Sequence, residues 1–288
     1  MQSKKSGWYA IFSVSLGSIL LLGTGAVMAY SSTTGTVVQK QPSSPPQPQT
    51  NLPNTQTPPT GQPKQPTTPV TKSPVTSPAA VNGDYRLLAL GDSLTRGTGD
   101  ETGLGYVGNV TTELQKLTKN KIIVSNLGVN GMKSPELLQY VNSPEVQQDI
   151  RSANLITITI GGNDLSQGVG SVTSPDPQVA KKTRDTYLAS LDQTVATIRS
   201  LNPNSAILFI GLYNPFLLQG SAAETATQIL QDWNQQTVHA LGKYPNTLFV
   251  PTEDLFAWDG TRLLSADMFH PNAKGYKWIA DRILQDIL

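Results

Sequence analysis

Three polar residues of the chain have the types and order needed for nucleophilic catalysis. Ser93 comes just after a short apolar run at 85–90. A serine hydroxyl is a weak nucleophile unless a base lies within hydrogen-bond reach and a third group orients that base. His270 follows Asp267 by three residues, so the carboxylate can hold one ring nitrogen while the other faces a serine. The pattern predicts Ser93 as nucleophile, His270 as base and Asp267 as the group that orients the base.

The choice of base is narrow, because the chain has only two histidines and no cysteine. His239 lies in a stretch predicted to be helical, with glutamine and threonine neighbours. That setting favours a surface or packing role for His239. His270 lies in a predicted loop before the last helix, which leaves it as the candidate base.

An oxyanion, if one forms when such a serine attacks, needs converging hydrogen-bond donors. The backbone N–H groups of Ser93 and Gly128 and the side-chain amide of Asn163 are the three candidates. Glycine at position 128 would let its N–H approach an anion closely. These three residues are the predicted oxyanion hole.

The elements that must position these groups alternate along residues 84–288. Strand signals fall at 85–90, 122–125, 155–160, 206–210 and 247–250. Helix signals fall at 105–118, 134–140, 144–153, 177–201, 222–241 and 272–288. Such alternation predicts an α/β fold of three layers, with a five-stranded parallel sheet between helices. Ligands bind beyond the carboxyl ends of such strands, and Ser93, Gly128 and Asn163 each follow a predicted strand.

Four sequence blocks, taken together, resemble the GDSL (SGNH) hydrolase family of lipases and esterases. The blocks are Gly91-Asp92-Ser93-Leu94, Gly128, Gly161-Gly162-Asn163-Asp164, and Asp267 with His270. The stretches 105–110 and 211–216 are further similar to a membrane-tethered, YpmR-like branch found in Gram-positive bacteria. The resemblance covers 84–288 and implies a flavodoxin-like SGNH fold that hydrolyses acyl esters without a cofactor.

Composition excludes several other classes of protein. Without cysteine there is no disulfide, thiolate zinc site or cysteine nucleophile, and two histidines cannot build a histidine-rich metal centre. The glycine pattern at 103–108 fits a dinucleotide motif, but it begins too far after the first strand and lacks an acidic residue at the end of the second. We therefore predict no cofactor and no metal.

The charges divide the chain into two parts. The first 83 residues hold five lysines and no acidic residue, so the remainder holds 16 basic residues and all 20 acidic ones. The acidic balance of the second part argues against a nucleic-acid partner. We interpret 84–288 as one hydrolase domain and the first 83 residues as segments that lie outside this domain.

The segment 1–30 is predicted to direct the protein to the membrane, as an anchor or as a signal peptide. An uncharged stretch at 11–29 follows Lys4 and Lys5 and would span about 28 Å as a helix, close to the thickness of a bilayer core. Aromatic residues at both ends suit the membrane interface, and the lysines predict an outward-facing C-terminal side. One interpretation is a single-pass anchor with the hydrolase domain outside the cell. The other is a signal peptide cleaved after Ala29, which would release a secreted protein.

The segment 31–83 contains 12 of the 21 prolines and is otherwise rich in threonine, glutamine and serine. It has too few aliphatic residues to bury a core, so we expect a disordered spacer.

The sequence is compatible with three functions. The first is a serine esterase acting on lipid or short-chain acyl esters, for which Phe216, Leu217 and Leu218 could line an acyl pocket or simply belong to the core. The second is removal of O-acetyl groups from cell-wall glycan. The third is a surface binding module without catalysis. The sequence predicts no particular oligomeric state.

Overall fold

The computed structural model describes residues 76–77, 81–216 and 218–288, which all belong to the unit Gln65–Leu288. The predicted membrane segment 11–29 lies outside the described residues, as does nearly all of the predicted spacer. Within the described part of the chain, no helix is both long and apolar enough to cross a bilayer. Val81 already packs against the core, and its carbonyl accepts a hydrogen bond from Asn120 at 2.7 Å.

Seven strands and nine helices follow one another in the described residues. The strands are β1 (Tyr85–Gly91), β2 (Ile122–Gly128), β3 (Leu155–Thr159), β4 (Gly170–Ser171), β5 (Ser174–Pro175), β6 (Ala206–Ile210) and β7 (Thr247–Val250). The helices are α1 (Ser93–Arg96), α2 (Gly105–Gln115), α3 (Ser134–Val141), α4 (Pro144–Ser152), α5 (Gly162–Gly168), α6 (Pro177–Leu201), α7 (Gly220–Leu241), α8 (Glu253–Leu263) and α9 (Ala273–Ile287).

Five of the strands form one parallel sheet in the order β2-β1-β3-β6-β7. This is the flavodoxin-like order, in which the chain starts near the middle of the sheet and reverses direction once. The predicted five-stranded parallel sheet is confirmed. The register pairs Gly91 with Gly128 on one side and with Thr159 on the other, so the ends of β1, β2 and β3 lie side by side.

Helices cover both faces of this sheet. On one face α2, α8 and α9 pack against β1 side chains such as Leu87, and on the other α3, α4, α6 and α7 pack against side chains such as Leu88. Strands β3 and β6 are buried along their whole length, which explains why their sequences are continuously apolar or β-branched. The three-layer α/β/α architecture is therefore confirmed.

The longest helix begins as predicted. The Asp176 side chain accepts hydrogen bonds from the N–H groups of Gln178 at 2.8 Å and Val179 at 3.4 Å, so it caps α6. An N-cap of this kind satisfies N–H groups that have no partner within the helix.

Helices α1, α5 and α8 and the β4–β5 hairpin were missing from the sequence prediction. The first two are too short to show an amphipathic period, and the strands of the hairpin have two residues each. Helix α8 carried a usable signal, since Glu253 and Asp254 lie in its first turn, where acidic residues stabilise a helix.

Candidate active site

The structure brings Ser93, His270 and Asp267 into one hydrogen-bonded chain. The Oγ of Ser93 lies 2.8 Å from Nε2 of His270, and Nδ1 of His270 lies 2.6 Å from Oδ2 of Asp267. Ser93 is 177 residues from His270 in sequence, so only the fold can create this contact. The arrangement can move a proton from the serine hydroxyl to the imidazole while the carboxylate holds the ring.

The Asp267 carboxylate is held by hydrogen bonds from its own loop. Its Oδ1 accepts hydrogen bonds from Ser265 Oγ at 2.7 Å and from the N–H groups of Phe269 and His270 at 2.9 Å each. Partial burial acts to raise the pKa of Asp267, but these bonds and the bond from the His270 ring outweigh it and hold that pKa well below its usual range. The group therefore stays a carboxylate, which is the form that can orient the imidazole.

Ser93 is the first residue of α1 and is only 4% exposed. Asp92 caps that helix, because its Oδ1 accepts from the Leu94 N–H at 3.0 Å and also from Thr159 Oγ1 at 2.7 Å. Burial raises the pKa of Asp92 to about 6, against the lowering effect of both hydrogen bonds. Asp92 thus anchors the nucleophile's turn to β3.

A buried group of hydroxyls lies beneath this turn. Thr95 Oγ1 is 2.8 Å from Thr159 Oγ1 and 3.0 Å from the Tyr106 hydroxyl, which is itself 3.0 Å from Thr157 Oγ1. Thr95 also donates to the carbonyl of Leu90 at 2.9 Å. These bonds join α1, α2, β1 and β3 under Ser93, and no sequence pattern pointed to them.

The three predicted oxyanion donors lie around the ends of neighbouring strands. The Ser93 N–H has no partner among the described residues. One hydrogen of the Asn163 amide goes to the Met132 carbonyl at 3.0 Å, which leaves the second one free. The Gly128 N–H donates to Oδ1 of Asn126 at 3.1 Å, so it would have to exchange this bond to serve an oxyanion. Their role as an oxyanion hole stays a prediction.

Two glycines allow the strand ends to approach each other so closely. A Cβ on Gly128 would lie 2.3 Å from the Arg96 backbone nitrogen, so the absence of a side chain lets α1 sit against β2. A Cβ on Gly91, whose φ is +133°, would lie 1.9 Å from the Thr159 carbonyl oxygen. Gly128 therefore has a packing reason to be glycine that is independent of any oxyanion.

An apolar cleft opens beside Ser93. Asn163 and Leu165 of α5, the β4–β5 hairpin, the loop after β6 and the start of α7 form its walls. Its apolar lining comes mainly from Leu165, Val169, Val172, Pro175, Leu212, Pro215, Phe216, Ile229, Leu230 and Phe269. Phe216, one of the three residues suggested for an acyl pocket, is in the lining. Leu217 lies outside the described residues, and Leu218 is not among the lining residues.

Two residues of the sequence analysis lie elsewhere. His239 is exposed on α7, and no hydrogen bond joins it to the triad residues. Asp164, from the same sequence block as Asn163, also lies outside the triad. Its carboxylate instead accepts hydrogen bonds from the N–H and hydroxyl of Ser134 at the start of α3, with the hydroxyl at 2.6 Å.

The described residues contain no group of three or more acidic or histidine side chains placed to hold a metal ion. A parallel α/β sheet with a serine, a histidine and an aspartate linked at its carboxyl edge is the arrangement of a serine hydrolase.

The sequence profile described as the GDSL-like Lipase/Acylhydrolase family matches residues 89–278, from β1 into α9. The chain belongs to this family, and it is a hydrolase that acts on ester bonds. It is 35% identical over 208 residues to the YpmR protein of Bacillus subtilis (strain 168), a match that covers 70% of this chain and 80% of that one.

Two solved structures show the same fold. The lipase Lip_vut3 from a goat rumen metagenome superposes with a TM-score of 0.62 at 23% identity, covering 70% of this chain and 97% of the lipase. The acetylxylan esterase Axe2 from Geobacillus stearothermophilus superposes with a TM-score of 0.51 at 24% identity, covering 71% and 95%. At such identities the likeness speaks to the fold alone.

Proposed function

We propose that this protein is a serine esterase that hydrolyses carboxylic esters through an acyl-serine intermediate. Ser93 Oγ attacks the ester carbonyl carbon while its proton passes to Nε2 of His270, which Asp267 orients. His270 then returns the proton to the leaving alcohol oxygen as the carbon–oxygen bond breaks. A water molecule, deprotonated by His270, then attacks the acyl carbonyl carbon. The bond from that carbon to Ser93 Oγ breaks as His270 returns the proton to Oγ, which releases the acid. The observation that carries the proposal is the unbroken Ser93–His270–Asp267 chain, at 2.8 and 2.6 Å.

We further propose that the oxyanion of each tetrahedral intermediate lies among the Ser93 N–H, the Gly128 N–H and the Asn163 amide. Each such donor typically contributes about 10²–10³ in rate.

Labelling with a fluorophosphonate separates this proposal from the idea of a binding module without catalysis. The probe should form a serine–phosphorus bond and release fluoride on the wild-type chain. Ser93→Ala should abolish the labelling, because among the described residues Ser93 is the serine whose hydroxyl is hydrogen-bonded to a histidine ring. Mass spectrometry of the labelled peptide identifies the residue. Equal labelling of wild type and Ser93→Ala would overturn the assignment.

The apolar lining of the cleft favours an ester with a hydrocarbon acyl chain. Each buried methylene contributes about 0.8 kcal/mol, so a chain that fills the cleft gains binding that an acetyl group cannot. Two members of the wall, Val172 and Pro175, come from the β4–β5 hairpin, and Ala226 and Ile229 come from α7. The glycan O-acetyl esterase activity therefore becomes the alternative that the substrate experiment must exclude.

A panel of p-nitrophenyl esters and an acetylated glycan tests the substrate class. We expect kcat/KM to rise by more than about tenfold from the acetyl to the octanoyl ester, as several methylenes become buried. Ala226→Phe, which fills the cleft from α7, should lower activity on the octanoyl ester far more than on the acetyl ester. A preference for the acetylated glycan, with little activity beyond acetyl, would contradict the acyl-chain proposal.

We also propose that residues 11–29 anchor the protein in the cell membrane with the hydrolase domain outside. The lysines before the segment and the aromatic residues at its ends support this proposal. Fractionation should then place the full-length chain in membranes. A mature chain that begins at Tyr30 would favour secretion instead, and a chain found in the cytosol would contradict both.

A further inference from the structure

The loop after β6 contacts the loop that carries the predicted base, and this contact has no part in the chemistry described above. Tyr213 lies in the stretch 211–216, directly after β6. Its hydroxyl donates a hydrogen bond to the carbonyl oxygen of Phe269 at 2.7 Å. Phe269 directly precedes His270, so this carbonyl belongs to the peptide group that joins the two residues.

That peptide group is therefore held at both ends. Its N–H, which is that of His270, donates to Asp267 Oδ1 at 2.9 Å, while its carbonyl accepts from Tyr213. A peptide group is planar and includes the next Cα, so holding its N–H and its carbonyl fixes the position of the His270 Cα, from which the imidazole side chain extends. The Phe269 ring also meets the imidazole edge-on, with ring centres 5.0 Å apart.

Tyr213 is itself firmly placed. The Asn234 amide on α7 holds the preceding residue, Leu212, through both its N–H and its carbonyl, at 3.1 and 3.0 Å. The Tyr213 ring stacks on Phe256 of α8, with ring centres 3.8 Å apart and planes 16° apart. A contact path therefore runs from α7 through Leu212 and Tyr213 to the peptide group of His270.

The loop between α8 and α9, residues 264–272, is held at its base by backbone hydrogen bonds. The Ser265 N–H donates to the His270 carbonyl at 2.8 Å, and the Asn272 N–H donates to the Leu263 carbonyl at 2.9 Å. Met268, next to Phe269, has a positive φ of 55° and is 44% exposed. Tyr213 ties this exposed end of the loop to the body of the domain.

We propose that Tyr213 is a positioning residue that holds the imidazole of His270 at hydrogen-bond distance from Ser93. The inference rests on the proposed esterase function, in which that distance decides how readily the serine is deprotonated. A misplacement of about 1 Å can cost about a hundredfold in rate, so a small rotation of this peptide group would be visible in kinetics.

Tyr213→Phe tests the inference, because it removes the hydroxyl and keeps the ring that stacks on Phe256. We expect kcat to fall about tenfold while KM stays within about twofold, since the ring still lines the cleft. The rate of labelling by a short-chain fluorophosphonate should fall by a similar factor. The downfield proton signal of the imidazole N–H that is bonded to Asp267 should shift or broaden. A purely structural role would change thermal unfolding without these signatures.

Tyr244→Phe is the matched control. Its hydroxyl also donates a partly buried hydrogen bond, to the Asp192 carbonyl at 2.9 Å. Asp192 lies on α6, away from the triad. We expect its kcat and labelling rate to equal those of the wild type. Unchanged kcat and labelling in Tyr213→Phe, or a rise in KM with constant kcat, would overturn the inference. Absence of labelling in the wild type would instead contradict the esterase proposal, so the two failures are distinguishable.

Discussion

Replacing His270 with alanine is expected to lower kcat for ester hydrolysis by at least about 10⁴-fold. Without the imidazole nothing accepts the proton of Ser93 as it attacks, and only the oxyanion donors and substrate binding remain to accelerate the reaction. Steady-state kinetics on an octanoyl ester measure the effect, and unfolding curves show whether the variant is folded. His270 is partly exposed, with 17% of its side chain accessible, so folding should be largely preserved.

His239→Ala is the control that the chain itself provides. It removes the other histidine from an exposed position on α7, where we expect kcat to change by less than about twofold. The assignment of the base would fail if both variants lost activity to the same extent.

Gly91→Ala is expected to lower the free energy of unfolding by more than about 4 kcal/mol, or to prevent folding altogether. The new Cβ would lie 1.9 Å from the Thr159 carbonyl oxygen, which belongs to the central strand and cannot move aside. The φ of +133° adds backbone strain for any residue that has a Cβ. Urea denaturation followed by circular dichroism measures the change.

Gly260→Ala provides the comparison for this prediction. Gly260 lies inside α8, and a Cβ there would have no neighbour within 4 Å. We expect the free energy of unfolding to stay the same or to rise by about 0.5–1 kcal/mol, because alanine has a higher helix propensity than glycine. A Gly91→Ala protein as stable as Gly260→Ala would show that β1 and β3 are not packed as described.

The sequence contained enough to predict the sheet, because each strand leaves a local mark. The runs at 206–210 and 247–250 match the observed strands, and the helix predicted at 177–201 matches α6, whose first N–H groups Asp176 caps. These signals depend on short-range effects, namely burial of apolar runs and local capping bonds. The same reasoning missed α1 and α5, since seven or fewer residues are too few to show a helical period.

The cleft could not be predicted from sequence for a different reason. Its walls come from α5, a two-residue-per-strand hairpin, the loop after β6 and the start of α7. Apolar residues such as Leu165 and Ile229 look the same in sequence whether they face a core or a cavity. Which of the two they face depends on how closely the neighbouring helices pack, and packing is a property of the assembled chain.

The types and spacing of Ser93, Asp267 and His270, and the scarcity of histidine, determined by themselves which residues could carry the chemistry. The tertiary structure decided whether they meet, because hydrogen-bond reach of about 3 Å is set by strand register and by contacts between distant segments. It also decided what holds them: the Thr159 hydroxyl on Asp92, the close approach of Gly128 to Arg96, and the Tyr213 bond behind His270. Each of these joins residues at least 30 positions apart, for which local sequence carries no signal.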